Sequence, residues 1–331
     1  MKRATLKDIA KLTGLSISGV SRALKDHPDI GRETKERVKE VALALKYSPN
    51  LNARSLRTLS SRIIAVILPK LTDFFFPKLL KGISEIVEAR GYSLIFLQSN
   101  NNLKREEELV DFCLNVFAEG VLISLSVETD KLDHLQKLKE ADIPTVLIDR
   151  VIKNDDFPSV TIDDREISFT AVEYLIEQGH NNILGIFGDS RLKMTALRVE
   201  GYRLAHAHHQ IAIKEEQILM VPSEYNLEEE ITAYIKGQSA ATAIFTMSDT
   251  LLVHTYQAIK QLGLSIPDDV SLISISDGIA PNYLFPKITH LRHSGHEVGS
   301  KATNLLFNII DGMSPAFSFY KIDAALVKLG S

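Results

Sequence analysis

One cysteine, Cys113, and no tryptophan occur among the 331 residues. A single thiol cannot close an internal disulfide or build a thiolate cluster. No apolar run approaches the ~20 residues that a membrane helix needs. The first residues, Met1 to Asp8, lack the apolar stretch of a secretory signal. These absences lead us to expect a protein of the reducing cytoplasm with no membrane partner. Signatures of catalysis are missing as well. The chain holds no Gly-x-Ser-x-Gly, no phosphate loop ending in Gly-Lys-Ser/Thr, and no Gly-x-Gly-x-x-Gly after a strand. Neither an enzyme nor a cofactor is expected. What is present is ordinary globular material, 45% hydrophobic and 24% charged, in a length that allows two or three domains of about 100–200 residues each.

Net charge is −4, but the charge is unevenly divided. Residues 1–62 carry 14 Lys and Arg against 6 Asp and Glu, a balance of +8, and the other 269 residues carry 24 against 36, a balance of −12. A basic head on an acidic body suits a polyanionic partner for the head alone, although charge by itself reads more readily as a solvated face.

The pattern within the head favours the first reading. Thr5-Leu6-Lys7-Asp8 is a capping box, a hydroxyl followed by an acid three residues on. The helix it opens carries Ile9, Ala10 and Leu12 and breaks at Gly14. Ser16 can cap a second helix that buries Val20 and Leu24, four apart, and shows Ile17, Ser18, Ser21 and Arg22 outward. A third helix from about Glu33 to Tyr47 sets Val38, Val41, Ala42 and Leu45 at helical spacing before Pro49. Two short helices joined by a glycine turn and braced by a third make a helix-turn-helix, whose second helix can enter a major groove. A small helical bundle that binds protein is the alternative. The outward Arg22, flanked by Lys2, Arg3, Lys25, Arg32 and Lys35, suits DNA better. After Pro49, the segment from Asn50 to Arg57 offers under two turns of helix, too short to be stable alone and suited to ordering on DNA. Leu56 there reads as a wedge for base steps or as part of a plain linker.

From Arg62 onward, short apolar runs alternate with helical stretches. The runs are Ile63–Ile67, Ser93–Leu97, Gly120–Ile123, Pro144–Ile148, Ile183–Phe187, Ala243–Phe245 and Val270–Ile275. Helical patterns include Leu79 to Arg90, Ile167 to Gln178 and Leu251 to Leu262. Such alternation predicts parallel sheets covered on both faces. Seven or more strands are too many for one tidy sheet, so two doubly wound lobes are expected, with a crossover near Thr161–Asp164 and a ligand cleft at the carboxyl ends of the strands.

The residues of the head resemble those of a known family. Thr5-Leu6-Lys7-Asp8-Ile9-Ala10, Gly14-Leu15-Ser16, Val20-Ser21-Arg22-Ala23-Leu24 and Tyr47-Ser48-Pro49-Asn50 through Ala53-Arg54-Ser55-Leu56 look like the DNA-binding and hinge signature of the LacI family. The body continues the likeness more weakly, with Val146-Leu147-Ile148-Asp149-Arg150, Gly179-His180, Arg198 with Gly201-Tyr202, Ile266-Pro267-Asp268-Asp269-Val270 and Ile288-Thr289. The resemblance implies a mixed α/β chain: a helix-turn-helix head over residues 1–48, a hinge helix and linker over 49–61, and an effector-binding and dimerisation domain over 62–331. That domain would have two doubly wound parallel-sheet lobes of the periplasmic-binding-protein type, one of about 62–161 and 293–318, the other of about 162–291 and 319–331.

The resemblance also implies site residues. Ile17, Ser18 and Arg22 would face bases in the major groove, Arg22 alone having the fork that favours guanine. Thr5, Ser16, Ser21, Lys25, Thr34 and Asn50 would hold the DNA backbone. Ala53, Arg54 and Leu56 would lie in the minor groove, with Leu56 intercalating at the centre of a palindromic operator. Asp149 and Arg198 match positions that grip polar effector groups, though Asp149 could instead cap a loop and Arg198 could pair with Glu200 or another acid. Phe74, Phe75 and Phe76 follow the first strand and stand either as cleft wall or as core, and Tyr225 falls near a sugar-stacking aromatic. Ser248 and Asp249 occupy the place of a usual Asn-Asp pair. Ser276-Asp277 follows the last major strand, with serine in place of the acid that takes two sugar hydroxyls. His293 stands where glutamine is common.

Two histidine groups, His206, His208, His209 and His290, His293, His296, lack cysteine or a close carboxylate pair, so no metal is expected. Cys113 shares a helical face with Leu109 and Val116 and reads as a buried small hydrophobe. The chain shows no closing heptad segment, from which a homodimer rather than a tetramer is expected. The whole reads as a transcriptional regulator, expected to repress, that binds double-stranded operator DNA and answers to a small-molecule effector, a sugar or sugar derivative. A solute-binding receptor or an enzyme on a doubly wound scaffold are the alternatives. Loss of residues 1–60 separates them, because only a regulator would lose DNA binding.

Overall fold

A computed structural model describes residues 4–47, 61–71, 74–221, 226–238 and 240–331. Asn50, Ala53, Arg54, Leu56 and Tyr225 lie outside the described residues. The chain forms two compact units, Met1–Ser61 and Arg62–Ser331.

In the first unit, helix α1 (Leu6–Thr13) begins as its sequence dictates. The Thr5 backbone N–H donates to the Asp8 carboxylate at 2.8 Å, and the Asp8 N–H donates to Thr5 Oγ1 at 3.4 Å. Gly14 ends it at φ 73°, a left-handed conformation that glycine adopts without strain. Helix α2 (Ile17–Leu24) follows, capped by Ser16, whose Oγ accepts from the Gly19 N–H at 3.0 Å. Helix α3 (Arg32–Ala44) stops short of the expected end at Tyr47. The three helices close over Ile9, Ala10, Val20, Ala23, Val38 and Ala42, with Leu24, Val41 and Leu45 packed at the margin.

The second unit alternates strand and helix. Its first lobe holds β1 (Ile63–Leu68), α4 (Phe75–Ala89), β2 (Ser93–Gln98), α5 (Leu103–Asn115), β3 (Gly120–Ile123), α6 (Gln136–Glu140), β4 (Thr145–Ile148) and β5 (Ser159–Ile162). Its second lobe holds α7 (Asp164–Glu177), β6 (Ile183–Phe187), α8 (Lys193–His208), β7 (Ile218–Met220), α9 (Leu227–Gly237), β8 (Ala243–Thr246), α10 (Asp249–Gln261), β9 (Ser271–Ser276), α11 (Ala280–Tyr283) and β10 (Thr289–Arg292). Helix α12 (Gly295–Ile310) returns to the first lobe. Strand β11 (Phe319–Ile322) joins the first sheet and β12 (Ala325–Val327) the second.

The sheet orders are β11-β5-β4-β3-β1-β2 and β12-β10-β9-β8-β6-β7. All neighbours are parallel except β12, which runs antiparallel to β10. Both lobes thus use one strand order, and the chain passes between them after β5, after β10 and between β11 and β12. The last passage corrects an expectation. Residues 319–331 do not all belong to the second lobe, because Phe319–Ile322 pairs in register with Ser159–Ile162 of the first.

Each central strand is buried over nearly its whole length, as a parallel sheet with helices on both faces requires. The first lobe has a core on each face of its sheet, one built on Phe76, Leu79, Ile83 and Leu306, the other on Val110, Cys113, Val121 and Leu138. Cys113 is fully buried, and burial pushes its thiol up to about 12. In the second lobe, Phe187, Tyr202 and Phe245 meet edge to face and stacked within 5.7–6.5 Å, and the Tyr202 hydroxyl donates to the Ile183 carbonyl at 2.7 Å. Helices α7 and α8 touch at Gly201, where a Cβ would lie 2.1 Å from the Arg165 carbonyl oxygen. That contact fixes how the two helices meet.

Candidate DNA-reading helix and ligand cleft

On α2 the sequence sorts residues by face. Val20 and Ala23 are buried, whereas Ile17, Ser18 and Arg22 are exposed, Ile17 at 47%. The exposed face therefore presents one apolar, one hydroxyl and one guanidinium group within two turns. Lys25 and Thr5 are exposed, and Ser21 and Thr34 are half-buried. The hydroxyls of Thr5 and Ser16 are occupied by their own helix starts, so these residues order the helix ends, whose N-terminal amides suit phosphate oxygens. Ser16 Oγ also meets Ser18 Oγ at 2.9 Å.

The second unit contains a cavity of about 420 Å³ between its lobes. Its walls come from residues just past strand ends and from the helices that follow them. Lys70 follows β1, Asn101 β2, Val127 β3 and Asp149 β4; from the other lobe Asp189 follows β6, Val221 β7, and Met247 with Ser248 β8. His293 follows β10. The cavity thus opens at the carboxyl ends of both sheets, where backbone amides and loop side chains converge.

Phe74, Phe75, Asp149, Arg198, Ser248 and Asp249 all line it. Phe76 borders it too, but at 2% exposure its ring belongs to the core of the first lobe. Phe75 lies 5.0 Å from the His293 ring. Asp149 sits at φ 58°, with Ser124 Oγ donating to its carboxylate at 3.4 Å. Arg198 is nearly buried and pairs neither with Glu200 nor with a surface acid. Its Nε donates to Asp164 Oδ1 at 2.9 Å and its second guanidinium arm to the Met247 carbonyl at 2.6 Å. Glu200 pairs with Arg165 instead. Ser248 caps α10.

Ser276 and Asp277, expected at the effector, do not line the cavity. Ser276 Oγ donates to Asp249, and the Asp277 N–H donates to the other Asp249 oxygen at 3.2 Å. The two residues therefore hold Asp249 from behind. Asp277 instead meets the first lobe, since Lys78 Nζ donates to its carbonyl at 2.8 Å and lies 3.4 Å from its carboxylate. Burial raises the Asp277 carboxyl to about 6 against the pull of Lys78. Burial, with Arg198 and Lys78 nearby, drops His293 to about 3, so its ring is neutral, and its Nδ1 has no hydrogen-bond partner.

Several lining residues escaped the sequence reading. Arg150 donates to Asn101 at 2.6 Å, and Arg191 forms a fork on Asp189 with its closest contact at 2.6 Å. Asp164, the partner that sets Arg198, carried no sequence signal, being 34 residues away.

Comparison with known proteins gives matches along nearly the whole chain. Residues 61–318 match the family described as periplasmic binding proteins and sugar binding domain of LacI family, and residues 5–50 match bacterial regulatory proteins, lacI family. The chain is 28% identical to the HTH-type transcriptional regulator RegA of Clostridium saccharobutylicum, over 93% of this chain and 92% of that protein. It is 28% identical to the HTH-type transcriptional repressor PurR of Vibrio campbellii, over 93% and 92%. Among solved structures, the lac repressor dimer bound to operator and an anti-inducer has a TM-score of 0.85 at 20% identity, covering 99% of each chain. A regulator CelR–cellobiose complex has a TM-score of 0.74 at 22% identity, covering 99% of this chain and 100% of that one. At these identities the structural likeness shows the fold. No helix among the described residues is long and apolar enough to cross a membrane.

Proposed function

The chain belongs to the LacI family of bacterial regulatory proteins and is a transcriptional regulator, and on that premise we propose that it represses by binding a palindromic operator as a homodimer under control of a small effector. The observation that carries the reading is one chain with both parts: a recognition helix exposing Ile17, Ser18 and Arg22, and a body with a cleft at its strand ends. Repression and twofold operator binding follow the relatives named as repressors and the operator-bound dimer. A twofold protein on a twofold site also gives a single short helix enough contact for specific affinity. Ser21, Lys25, Thr34 and the helix starts at Thr5 and Ser16 would hold phosphates, and Asn50, Ala53, Arg54 and Leu56 would complete the interface at the operator centre.

The effector is a sugar or sugar derivative, the class seen with the cellobiose-bound neighbour. Asp149, Arg150 and Asn101 would meet its polar edge, and Phe74 and Phe75 its apolar face. Asp249, held by Ser276 and Asp277, would accept one hydroxyl, and Tyr225 would stack on the ring. The site of action is the cytoplasm, where operator DNA is found.

Thermal melting of the chain against sugars, sugar phosphates, nucleosides and purines tests the reading. Effector at about 100 times its dissociation constant adds roughly 2.7 kcal/mol to the unit that binds it. A hit that also changes operator affinity supports the proposal. A panel without a hit, or a hit that leaves operator affinity untouched, contradicts effector control.

A further inference from the structure

We propose that Glu173, His208 and His209 form a binding site for a divalent transition-metal ion of the zinc class, on the outer face of the second lobe and apart from the ligand cleft. The sequence places two adjacent histidines at the end of α8, and separates His206 from them. His206 is fully buried, with its Nδ1–H donating to the Tyr202 carbonyl at 2.9 Å. The third ligand lies 35 residues upstream of His208, on α7, where only the packing of the two helices brings it in.

Two of the three donor distances match the spacing of ligands around a metal. Glu173 Oε1 lies 3.3 Å from His208 Nδ1 and 3.6 Å from His209 Nε2, and all three donor atoms lie within 4.8 Å of one another. Two ligands about 2.1 Å from a tetrahedral zinc stand about 3.4 Å apart. A charge-assisted hydrogen bond is shorter, about 2.7–2.9 Å. This chain shows that shorter distance where histidine bonds carboxylate directly, 2.9 Å for His134–Glu106 and 2.8 Å for His296–Glu85.

The scaffold is firm. Phe169, one turn before Glu173, stacks on the His208 ring at 5.8 Å and limits its rotation. Gly201 holds the two helices in backbone contact, as described above. Two imidazoles and one carboxylate leave a fourth position for water. An ion there would tie the last turn of α8 to α7, the same helices whose other ends carry Arg198 and Asp164.

The test is calorimetric titration of Zn²⁺ into the metal-free full-length protein, with melting temperature as a second readout. One saturable equivalent and a higher melting temperature are expected. Both should be lost in the His208→Ala, His209→Ala double variant, and affinity should drop at least about tenfold in Glu173→Gln. The ligands are exposed or half-buried, so both variants should keep the wild-type far-ultraviolet dichroism. Absence of saturable binding, or binding equally tight in the double variant, overturns the proposal.

Discussion

Arg22 is the exposed α2 residue whose planar fork can take two acceptors of one guanine. Arg22→Ala should relax preference at one base pair per half-site by about 1–3 kcal/mol, read from competition among single-base operator variants. An unchanged base profile contradicts its role. Arg198 works differently. It is buried against Asp164, and Arg198→Ala leaves that carboxylate without its partner. A cost of about 3–5 kcal/mol in denaturant unfolding is expected, and a loss below 1 kcal/mol would mean the pair is not needed for folding.

His293 and Asp277 make opposing demands on pH. His293 falls from 6.5 to about 3 on folding, so between those values the unfolded chain holds a proton that the folded chain does not, and stability rises with pH. Asp277 rises from 3.8 to about 6, so in that window the folded chain holds the extra proton and stability falls with pH. The slopes, each up to about 1.4 kcal/mol per pH unit, nearly cancel between pH 4 and 6. His293→Gln should uncover the falling slope and Asp277→Asn the rising one, in urea midpoints at pH 4, 5 and 6. Profiles parallel to wild type in both variants would contradict these ionisation states. The sequence showed neither behaviour, because both come from burial and from Lys78, which reaches Asp277 across 199 positions.

At the scale of elements, local chemistry was readable where it was strong. The capping box at Thr5, the glycine stop at Gly14 and the apolar runs of β1, β3, β6 and β9 appear in the structure within a residue or two. Less legible were β5, β7, β10, β11 and β12, which are short, polar or at sheet edges, and so lack the continuous apolar signature of a central parallel strand. Placing Phe319–Ile322 in the first lobe depends on a partner 160 residues earlier, which no local pattern encodes. The cleft divides the same way. Asp149, Arg198, Ser248 and Asp249 line it as expected, while Ser276 and Asp277 turn behind it through hydrogen bonds that only the folded chain defines. The α7–α8 contact offers a test of an element. Gly201→Ala must push its methyl into the Arg165 carbonyl, and should cost about 1–3 kcal/mol in thermal unfolding. A neutral result would mean the helices part freely.

At the scale of the whole molecule, the two lobes repeat one strand order although the sequence shows no repeat. The order β2-β1-β3-β4-β5 recurs as β7-β6-β8-β9-β10. Strand ends from both copies then face one cavity, and three chain passages join the lobes, so a ligand touching both walls has purchase on their relative position. The basic head and acidic body extend the division of labour: the +8 end meets a polyanion, and the −12 body avoids competing for it. The head is proposed to read a twofold DNA site, and selection of bound duplexes from a random pool by the full-length protein decides whether it does. An enriched inverted repeat is the result expected of this chain. A pool that stays random, or that yields a single site without twofold symmetry, would contradict it.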